Sequence, residues 1–456
     1  MEQSWVIQLS NTLRETILDL LIRIDGDNGF SHLIIDHEIK SHQISERDAG
    51  LLTEIVYGTL QRKLTLGFYI EKYLEPGKTV KPWVNMLLRM SVYQIAFLDK
   101  VPDHAIIHEA VEIAKKRGHK GISGLVNGVL RNMQRNELPD TSSIDNPLKR
   151  IAIETSHPEW LVERWIDMYG VEITKQMCEA NLERKHTTIR VQPMKITRNE
   201  AIKNLEDQGF DVRKSMFSEQ GIIVDSGNIL YTTLFKEGYV TIQDQSSMLV
   251  AEMLRLKEGM VVLDVCSAPG GKVTHIAEKM GNKGKINAYD LHAKKAKLLH
   301  EKTIKLDLTI VEAKQADARN LQEIHAYESF DRILVDAPCS GFGVIRGKPE
   351  IKYNKQELDI HQLAQIQLDI LTRVAPLLKK NGHLMYTTCT VDKEENNQVV
   401  AEFLKKQPEY MVDQTFFDEL PEFLRHAEGI SYEGLQLFPH TKGSDGFFLT
   451  RLTRKE

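Results

Sequence analysis

The sequence predicts a multidomain fold: an all-α N-terminal domain, a small α+β middle domain, and a C-terminal α/β domain with a doubly wound, Rossmann-like sheet. Three observations lead there. Apolar residues recur at helical spacing from Met1 to about Asp140, short strand-like runs mix with helices from Leu148 to Gly238, and strands alternate cleanly with helices from Gln243 to the end. At about 150 residues per domain, 456 residues correspond to about three domains. The expected boundaries are 1–140, 148–242 and 243–456.

The first helix is read from a single apolar stripe, Leu9, Leu13, Ile17, Leu20, Leu21 and Ile24. Ser45 with Asp48 three residues on has the form of a capping box, opening a helix with Leu51, Leu52, Ile55, Val56 and Leu60 on one side. Further helices are expected over Trp83 to Leu98, Ala105 to Lys116 and Ile122 to Met133, punctuated by Pro76-Gly77, Pro102 and Gly118. Pro139 to Pro147 reads as a linker. The middle stretch predicts helices at Glu159 to Tyr169 and Arg198 to Gln208, and strands at Thr188 to Val191, Gly221 to Val224 and Tyr239 to Ile242. The third predicts buried strands at Met260 to Val265, Lys285 to Tyr289, Thr309 to Glu312, Arg332 to Val335 and His383 to Thr387, with a helix at Ile360 to Leu378.

The charge sum, 59 basic minus 64 acidic residues, is −5, which excludes a uniformly basic nucleic-acid-binding surface. Nucleic-acid contact would need local patches. Lys115, Lys116, Arg117 and Lys120 form one candidate, and Arg184, Lys185 and His186 another, although either alone reads better as a solvated helix end. No apolar run approaches the roughly 18 residues of a membrane helix. The N-terminus mixes Arg14, Glu15 and Asp19 with its apolar residues, unlike a signal peptide, so a cytoplasmic protein without a membrane partner is expected. Four cysteines, Cys178, Cys266, Cys339 and Cys389, form neither a CxxC pair nor a zinc-ligand spacing. Neither a disulfide scaffold nor a bound metal is expected.

The first strand of the α/β stretch runs into Asp264-Val265-Cys266-Ser267-Ala268-Pro269-Gly270-Gly271-Lys272. Paired glycines at a strand-to-helix turn let backbone pass close to a ligand, and the free amides of the new helix face it. The dinucleotide pattern G-x-G-x-x-G is missing, and Cys266 stands where a P-loop needs its first glycine. Asp290, at the tip of the second strand, is placed to accept from ribose hydroxyls. Asp317, after the third, could accept from an adenine amino group. A nucleoside site without demand for phosphate fits S-adenosylmethionine.

Strands four and five run into Asp336-Ala337-Pro338-Cys339-Ser340-Gly341 and Thr387-Thr388-Cys389-Thr390. A lone buried cysteine is usually a small hydrophobe. Two of them at adjacent strand tips, among turn formers, point instead to chemistry. Carbon 5 of a pyrimidine accepts a methyl group only after a thiolate has added to carbon 6, which splits one difficult step into two. Asp336 is the candidate acid near N3. Lys272 is a candidate base for the carbon-5 proton, or equally a solvated or cofactor-facing lysine. On the residues alone, analogy with DNA cytosine methyltransferases favours Cys339 as nucleophile.

In combination, Asp264 to Lys272 (DVCSAPGGK), Asp336 to Gly341 (DAPCSG), Tyr386 to Thr390 (YTTCT), Gln243 to Ser247 (QDQSS) and Ser444 to Leu449 (SDGFFL) resemble the RNA 5-methylcytosine methyltransferases of the Sun/NOL/NSUN family. The likeness covers about Gln243 to the end. Asp48 to Gln61, Leu88 to Pro102 and Leu125 to Arg131 are similar to the NusB-like RNA-binding domain found in its small-subunit rRNA branch. The resemblance implies a class I methyltransferase domain that uses S-adenosylmethionine to methylate carbon 5 of a cytosine in 16S rRNA, either naked or in a small-subunit assembly intermediate. A monomer is expected. It also assigns Cys389 as the nucleophile and Cys339 to product release. Thr390 stands where the family often has Ser. Two rivals are an RNA-binding assembly factor with a degenerate catalytic platform and a tRNA-directed enzyme. Intact Asp264, Asp290, Asp317, Asp336, Cys339 and Cys389 argue against the first, and the helical domain against the second.

Overall fold

The computed structural model describes residues 2–26, 31–42, 44–77 and 79–455, with side chains from residue 13 onward, so Leu9 of the first stripe lies outside the described side chains. The chain divides into two compact units, Met1–Glu183 with Ile345–Asn354, and Arg184–Val344 with Lys355–Glu456. Among the described residues no helix is long and apolar enough to cross a membrane.

The first unit is built of helices, beginning with Glu2–Gly26, Ser31–Ser41, Glu46–Gln61, Lys63–Glu71, Pro82–Phe97, Asp103–Arg117 and Lys120–Arg135. The predicted stripe turns inward: Ile17, Leu21 and Ile24 are fully buried against Leu52, Ile55, Val56, Leu87 and Leu88. Ser45 caps its helix by accepting the Asp48 amide at 3.2 Å. The Asp48 carboxylate takes the Ser45 hydroxyl at 2.8 Å, so the expected box closes by a side-chain contact. Within the expected linker, Thr141–Ser143 forms a short 3-10 turn, and the Arg150 guanidinium donates to the Ile144 carbonyl at 2.7 Å. The helix expected to stop at Tyr169 continues as Glu159–Ala180, with Gly170 at φ 78° kinking it instead of ending it. That kink keeps Trp165 and Met177 both buried.

No sequence signal marked Ile345–Asn354 as part of this unit. Its hydrogen bonds explain the assignment: the Arg346 guanidinium donates to the Ala180 carbonyl (2.8 Å), Glu350 accepts the Ser31 amide and hydroxyl (3.0 and 2.9 Å), and Lys352 donates to the Gln61 carbonyl (2.8 Å). Burial pushes the Lys352 ammonium down to about 7.

The second unit holds, among the described residues, a four-stranded and a nine-stranded sheet. The smaller contains β1 (Thr187–Val191), β2 (Asp211–Lys214), β3 (Gly221–Ser226) and β4 (Val240–Ile242), antiparallel in the order β2-β3-β1-β4. Three of these match predicted strands. β2 escaped because it is a largely exposed edge with charged Asp211, Arg213 and Lys214.

The larger sheet contains β5 (Val261–Asp264), β6 (Lys285–Asp290), β7 (Val311–Gln315), β8 (Phe330–Asp336), β9 (Leu378–Thr388), β10 (Tyr410–Val412), β11 (Ile430–Ser431), β12 (Gly434–Leu437) and β13 (Phe447–Arg454). The five predicted strands are β5 to β9, parallel in the order β7-β6-β5-β8-β9. β7 lies two residues later than expected, because edge charges at Glu312 and Lys314 interrupt its apolar run. β13 joins β9 antiparallel and is itself flanked by β12 and β10, an extension absent from the sequence reading. Val262, Leu263, Ile333, Leu334 and Val335 are fully buried, as a sheet covered on both faces requires. Chain order reverses between β5 and β8, which opens a crevice at their carboxyl ends.

One buried cation joins the two sheets' layers. Arg190 of β1 donates to Glu278 through Nε and Nη2, both at 2.7 Å, to the Thr274 hydroxyl at 3.0 Å and to the Gly271 carbonyl at 2.8 Å, and it also bonds Gln243. Arg190→Met should therefore destabilise the unit by about 3–5 kcal/mol, since the buried Glu278 loses its ion-pair partner and keeps only the Gln220 amide. Urea denaturation checks this; the pair Arg190→Met with Glu278→Leu should regain most of the loss, and an unchanged midpoint for Arg190→Met alone would refute it.

Candidate active site at the strand tips

The turn after β5 is a tightly tied loop. The Val265 amide donates to the Leu334 carbonyl (3.1 Å), the Ser267 amide to the Tyr289 carbonyl (2.7 Å), and the Gly270 amide to the Ser267 carbonyl (2.8 Å), while the Ala268–Pro269 peptide is cis. Gly270 sits at φ 89°, and a Cβ there would lie 2.5 Å from Leu299, so only glycine fits. It caps the helix Gly271–Lys279, whose Gly271 carbonyl is held by Arg190. Lys302, which the sequence reading missed, donates to the Pro269 carbonyl at 3.3 Å from the next helix, and burial lowers it to about 8.

Asp264 is fully buried, and its Oδ2 has no hydrogen-bond partner. Burial, with the nearby Asp336 carboxylate, pushes it up to about 7. Asp290, at the β6 tip, accepts the His292 amide at 2.9 Å. Asp317 follows β7 but is already engaged: it caps Ala318–Glu323 through the Arg319 amide (2.9 Å), and its Oδ2 accepts the Arg319 guanidinium at 2.6 Å. That contact holds the Asp317 carboxyl below its usual range. Cys266 lies among these groups, its thiol pushed up by burial and by Asp264, Asp336, Asp290 and Asp317. Four carboxylates within electrostatic reach of one loop, one with an orphan oxygen, suit a nucleoside that carries positive charge and no phosphate. The residues thus fit the expected cofactor. Among the described residues no group of His, Cys, Asp and Glu is arranged to hold a metal ion.

Across the crevice, β8 and β9 run in register, Asp336 beside Thr387. Their tips bring Cys339 Sγ to 3.3 Å from Cys389 Sγ. The Cys389 contact, reinforced by burial, raises the Cys339 thiol well above its ordinary value. Lys272 reaches over from the first loop and donates to Asp336 Oδ2 at 2.7 Å, and the Thr387 hydroxyl donates to Asp336 Oδ1 at 3.0 Å. Burial opposes the Lys272 charge, but Asp336, with Cys389 and Asp264 adding to it, outweighs burial and holds the ammonium above its usual value. In this arrangement Lys272 is a cation beside the thiols rather than a free base.

Behind Cys389, Gly343, which the sequence reading passed over, closely approaches Gly446 of the SDGFFL segment. The Gly343 amide donates to the Cys389 carbonyl (2.9 Å) and the Gly446 amide to the Gly343 carbonyl (2.8 Å). A Cβ on Gly343 would sit 1.8 Å from the Gly446 oxygen. Other motif residues serve the scaffold. Lys185 is ion-paired with Asp244 (3.0 Å) and Asp445, and His186 contacts Asp225 (3.0 Å). Lys116 pairs with Glu15 and Arg117 with Asp19, both at 2.7 Å. Both basic clusters are thus largely neutralised by carboxylates, which favours a structural role for them.

Family models match three regions: 16S rRNA methyltransferase RsmB/F over 251–453, the NusB family over 11–135, and the RsmF/B-like ferredoxin-like domain over 157–229. A probable ribosomal RNA small subunit methyltransferase B of Bacillus subtilis is 47% identical over 444 residues, 97% of this chain and 99% of its own. The ribosomal RNA small subunit methyltransferase B of Photorhabdus laumondii is 33% identical over 90% of this chain and 92% of its own. Among solved structures, PH0851 aligns over 96% of this chain and 97% of its own with TM-score 0.80 and 27% identity. A methyltransferase homolog protein from Pyrococcus horikoshii aligns over 68% and 100%, with TM-score 0.58 and 25% identity. With a relative of such identity along nearly its whole length, and the motifs that carry the resemblance gathered at one sheet edge, the chain belongs to the 16S rRNA methyltransferase RsmB/F family.

Proposed function

We propose that this chain transfers a methyl group from S-adenosylmethionine to carbon 5 of a cytosine in 16S rRNA, through a covalent bond between Cys389 and carbon 6. What supports this most directly is the 3.3 Å contact of Cys339 with Cys389, beside the Lys272–Asp336 pair. The substrate is 16S rRNA, naked or in a small-subunit assembly intermediate, and the chain acts as a cytoplasmic monomer whose NusB-like part contributes RNA affinity.

When bound, S-adenosylmethionine supplies an electrophilic methyl group. Cys266 to Lys272, Asp264 and Asp290 would hold it, with Asp290 toward the ribose and Asp264 toward positive charge. Asp317 would serve the adenine amino group only by yielding part of its contact with Arg319. The Lys272 ammonium favours the thiolate of Cys389, which adds to carbon 6. A proton for N3 comes through Asp336, with the hydrogen-bonded Lys272 as its store. Cys339 keeps its proton while the Cys389 sulfur, not yet bonded to carbon, stands beside it. Once Cys389 is bonded to carbon 6, that influence is gone. Cys339 can then pass its proton to Lys272, which gave one up for N3, and as thiolate take the carbon-5 proton. The Cys389–carbon 6 bond breaks as it does so, Cys389 leaves as thiolate, and N3 releases its proton through Asp336.

Asp290→Ala should weaken S-adenosylmethionine binding by about 1.5–3 kcal/mol, roughly tenfold to a hundredfold, through loss of a charged acceptor. Calorimetry giving an unchanged Kd would reject this placement. The cysteines should fail in opposite ways. Cys389→Ala should be inactive and trap no RNA, whereas Cys339→Ala should form a protein–RNA adduct that survives denaturing electrophoresis and vanishes in the double variant. An adduct in Cys389→Ala instead would exchange the roles, and full activity in both variants would exclude covalent catalysis by these thiols.

A further inference from the structure

The residues that flank each cysteine are tied, directly or by way of Gln367, to one short segment. Glu394–Gln398 forms a π-helical turn after β9, a widened geometry often found at functional sites. It sends two consecutive side chains, Glu395 and Asn396, into the protein, and both are fully buried. On the Cys339 side, the Ser340 amide donates to Glu395 Oε2 at 2.8 Å and the Ser340 hydroxyl donates to Oε1. Gln367 completes that side, donating through Nε2 to Glu395 Oε2 and to the Pro338 carbonyl, both at 2.9 Å. On the Cys389 side, Asn396 donates to the Thr390 carbonyl at 3.1 Å and receives the Thr388 hydroxyl. The two sides meet where the Ser340 and Thr390 hydroxyls lie 2.7 Å apart.

We propose that Glu395 is a positioning residue that holds the two cysteine loops in mutual register, by clamping the Ser340 amide and hydroxyl against Thr390. The inference rests on the covalent reading above for its catalytic meaning, though not for its geometry. Glu395 reaches the Cys339 loop through Ser340 and through Gln367, and its charge helps raise the Cys339 thiol. Burial, with the nearby Asp392 carboxylate, raises the group to about 7, against the pull of Ser340 and Gln367. A carboxyl kept in so unfavourable a place needs a task there, and the surrounding chain commits three donors to it. The tip of β9 is also pinned from beneath, since the Tyr386 hydroxyl donates to the Glu395 carbonyl at 2.6 Å.

The test uses the full chain with Glu395→Ala, Glu395→Gln and Ser340→Ala. The first readout is the rate at which diamide closes a Cys339–Cys389 disulfide, identified by peptide mass spectrometry; it reports the register of the sulfurs without methyl transfer. The second is methylation of 16S rRNA, with kcat and KM separated. S-adenosylmethionine affinity within twofold of the parent verifies that each variant is folded. The expected result is closure and kcat both about tenfold to a hundredfold slower in Glu395→Ala, KM little changed, Ser340→Ala lowered in the same direction, and substantial rescue by Glu395→Gln, which keeps an acceptor for the Ser340 amide. Closure at the parent rate in both Glu395→Ala and Ser340→Ala overturns the proposal, whatever happens to methylation. Slowed closure in variants whose parent methylates without either cysteine would leave the clamp standing and remove the covalent reading instead.

Discussion

The site depends on the parallel register of β8 with β9. Pairing Asp336 with Thr387 makes the two strands end side by side, so the residues that follow each, three from Asp336 and two from Thr387, reach the same point. A slip of one residue, roughly 3.3 Å along the strands, would carry the loop of Cys339 past that of Cys389 and part the two sulfurs. The register is therefore held from several directions. β13 pairs with the other edge of β9, placing Phe448 opposite Thr388, and the segment before it supplies Gly446 to the Gly343 amide–carbonyl chain behind Cys389. The DAPCSG, YTTCT and SDGFFL segments, far apart in the chain, are one structural object.

Charge is distributed across the crevice with similar economy. The cofactor loop faces carboxylates, and the thiols face the Lys272 ammonium, with Asp336 between them. Lys272 thus belongs to both halves of the chemistry: it is carried by the helix that starts at the cofactor loop, and its charge acts at the cysteines. The same helix is anchored at Gly271 and Glu278 by Arg190, so the small sheet fixes the position of the larger sheet's site. Removing Arg190 or Lys272 would take the cationic partner from Glu278 or Asp336.

What was legible in the sequence was what is local. Strand-to-helix turns with Asp264, Gly270, Asp290, Asp336 and the two cysteines announce themselves through short-range signals of strand ends, turns and caps, and the five parallel strands through their apolar runs. The proposed division of labour between Cys339 and Cys389 came from family likeness alone. Contacts distant in sequence left no such trace. Glu395 looks like one more glutamate in a solvated helix until the π-helical turn buries it. Gly343 looks like a loop glycine until Gly446 stands against it. Lys185 and Arg117 read as candidate RNA-binding charges, whereas carboxylates from Asp244, Asp445, Glu15 and Asp19 meet them. Ile345–Asn354, four residues beyond Gly341, carries no mark of belonging with the helices, because what ties it there is hydrogen bonds to residues distant in sequence, the Ala180 and Gln61 carbonyls, Ser31 and Ser156.

The central claim is that these strand tips methylate carbon 5 of a cytosine in small-subunit rRNA by way of Cys389. Nucleoside mass spectrometry of 16S rRNA from cells lacking the gene, with fragment mapping, tests it most directly. The account predicts loss of 5-methylcytidine from a defined 16S fragment, restored by the parent gene and not by Cys389→Ala. Unchanged 5-methylcytidine in the deleted cells, or restoration by Cys389→Ala, would contradict it.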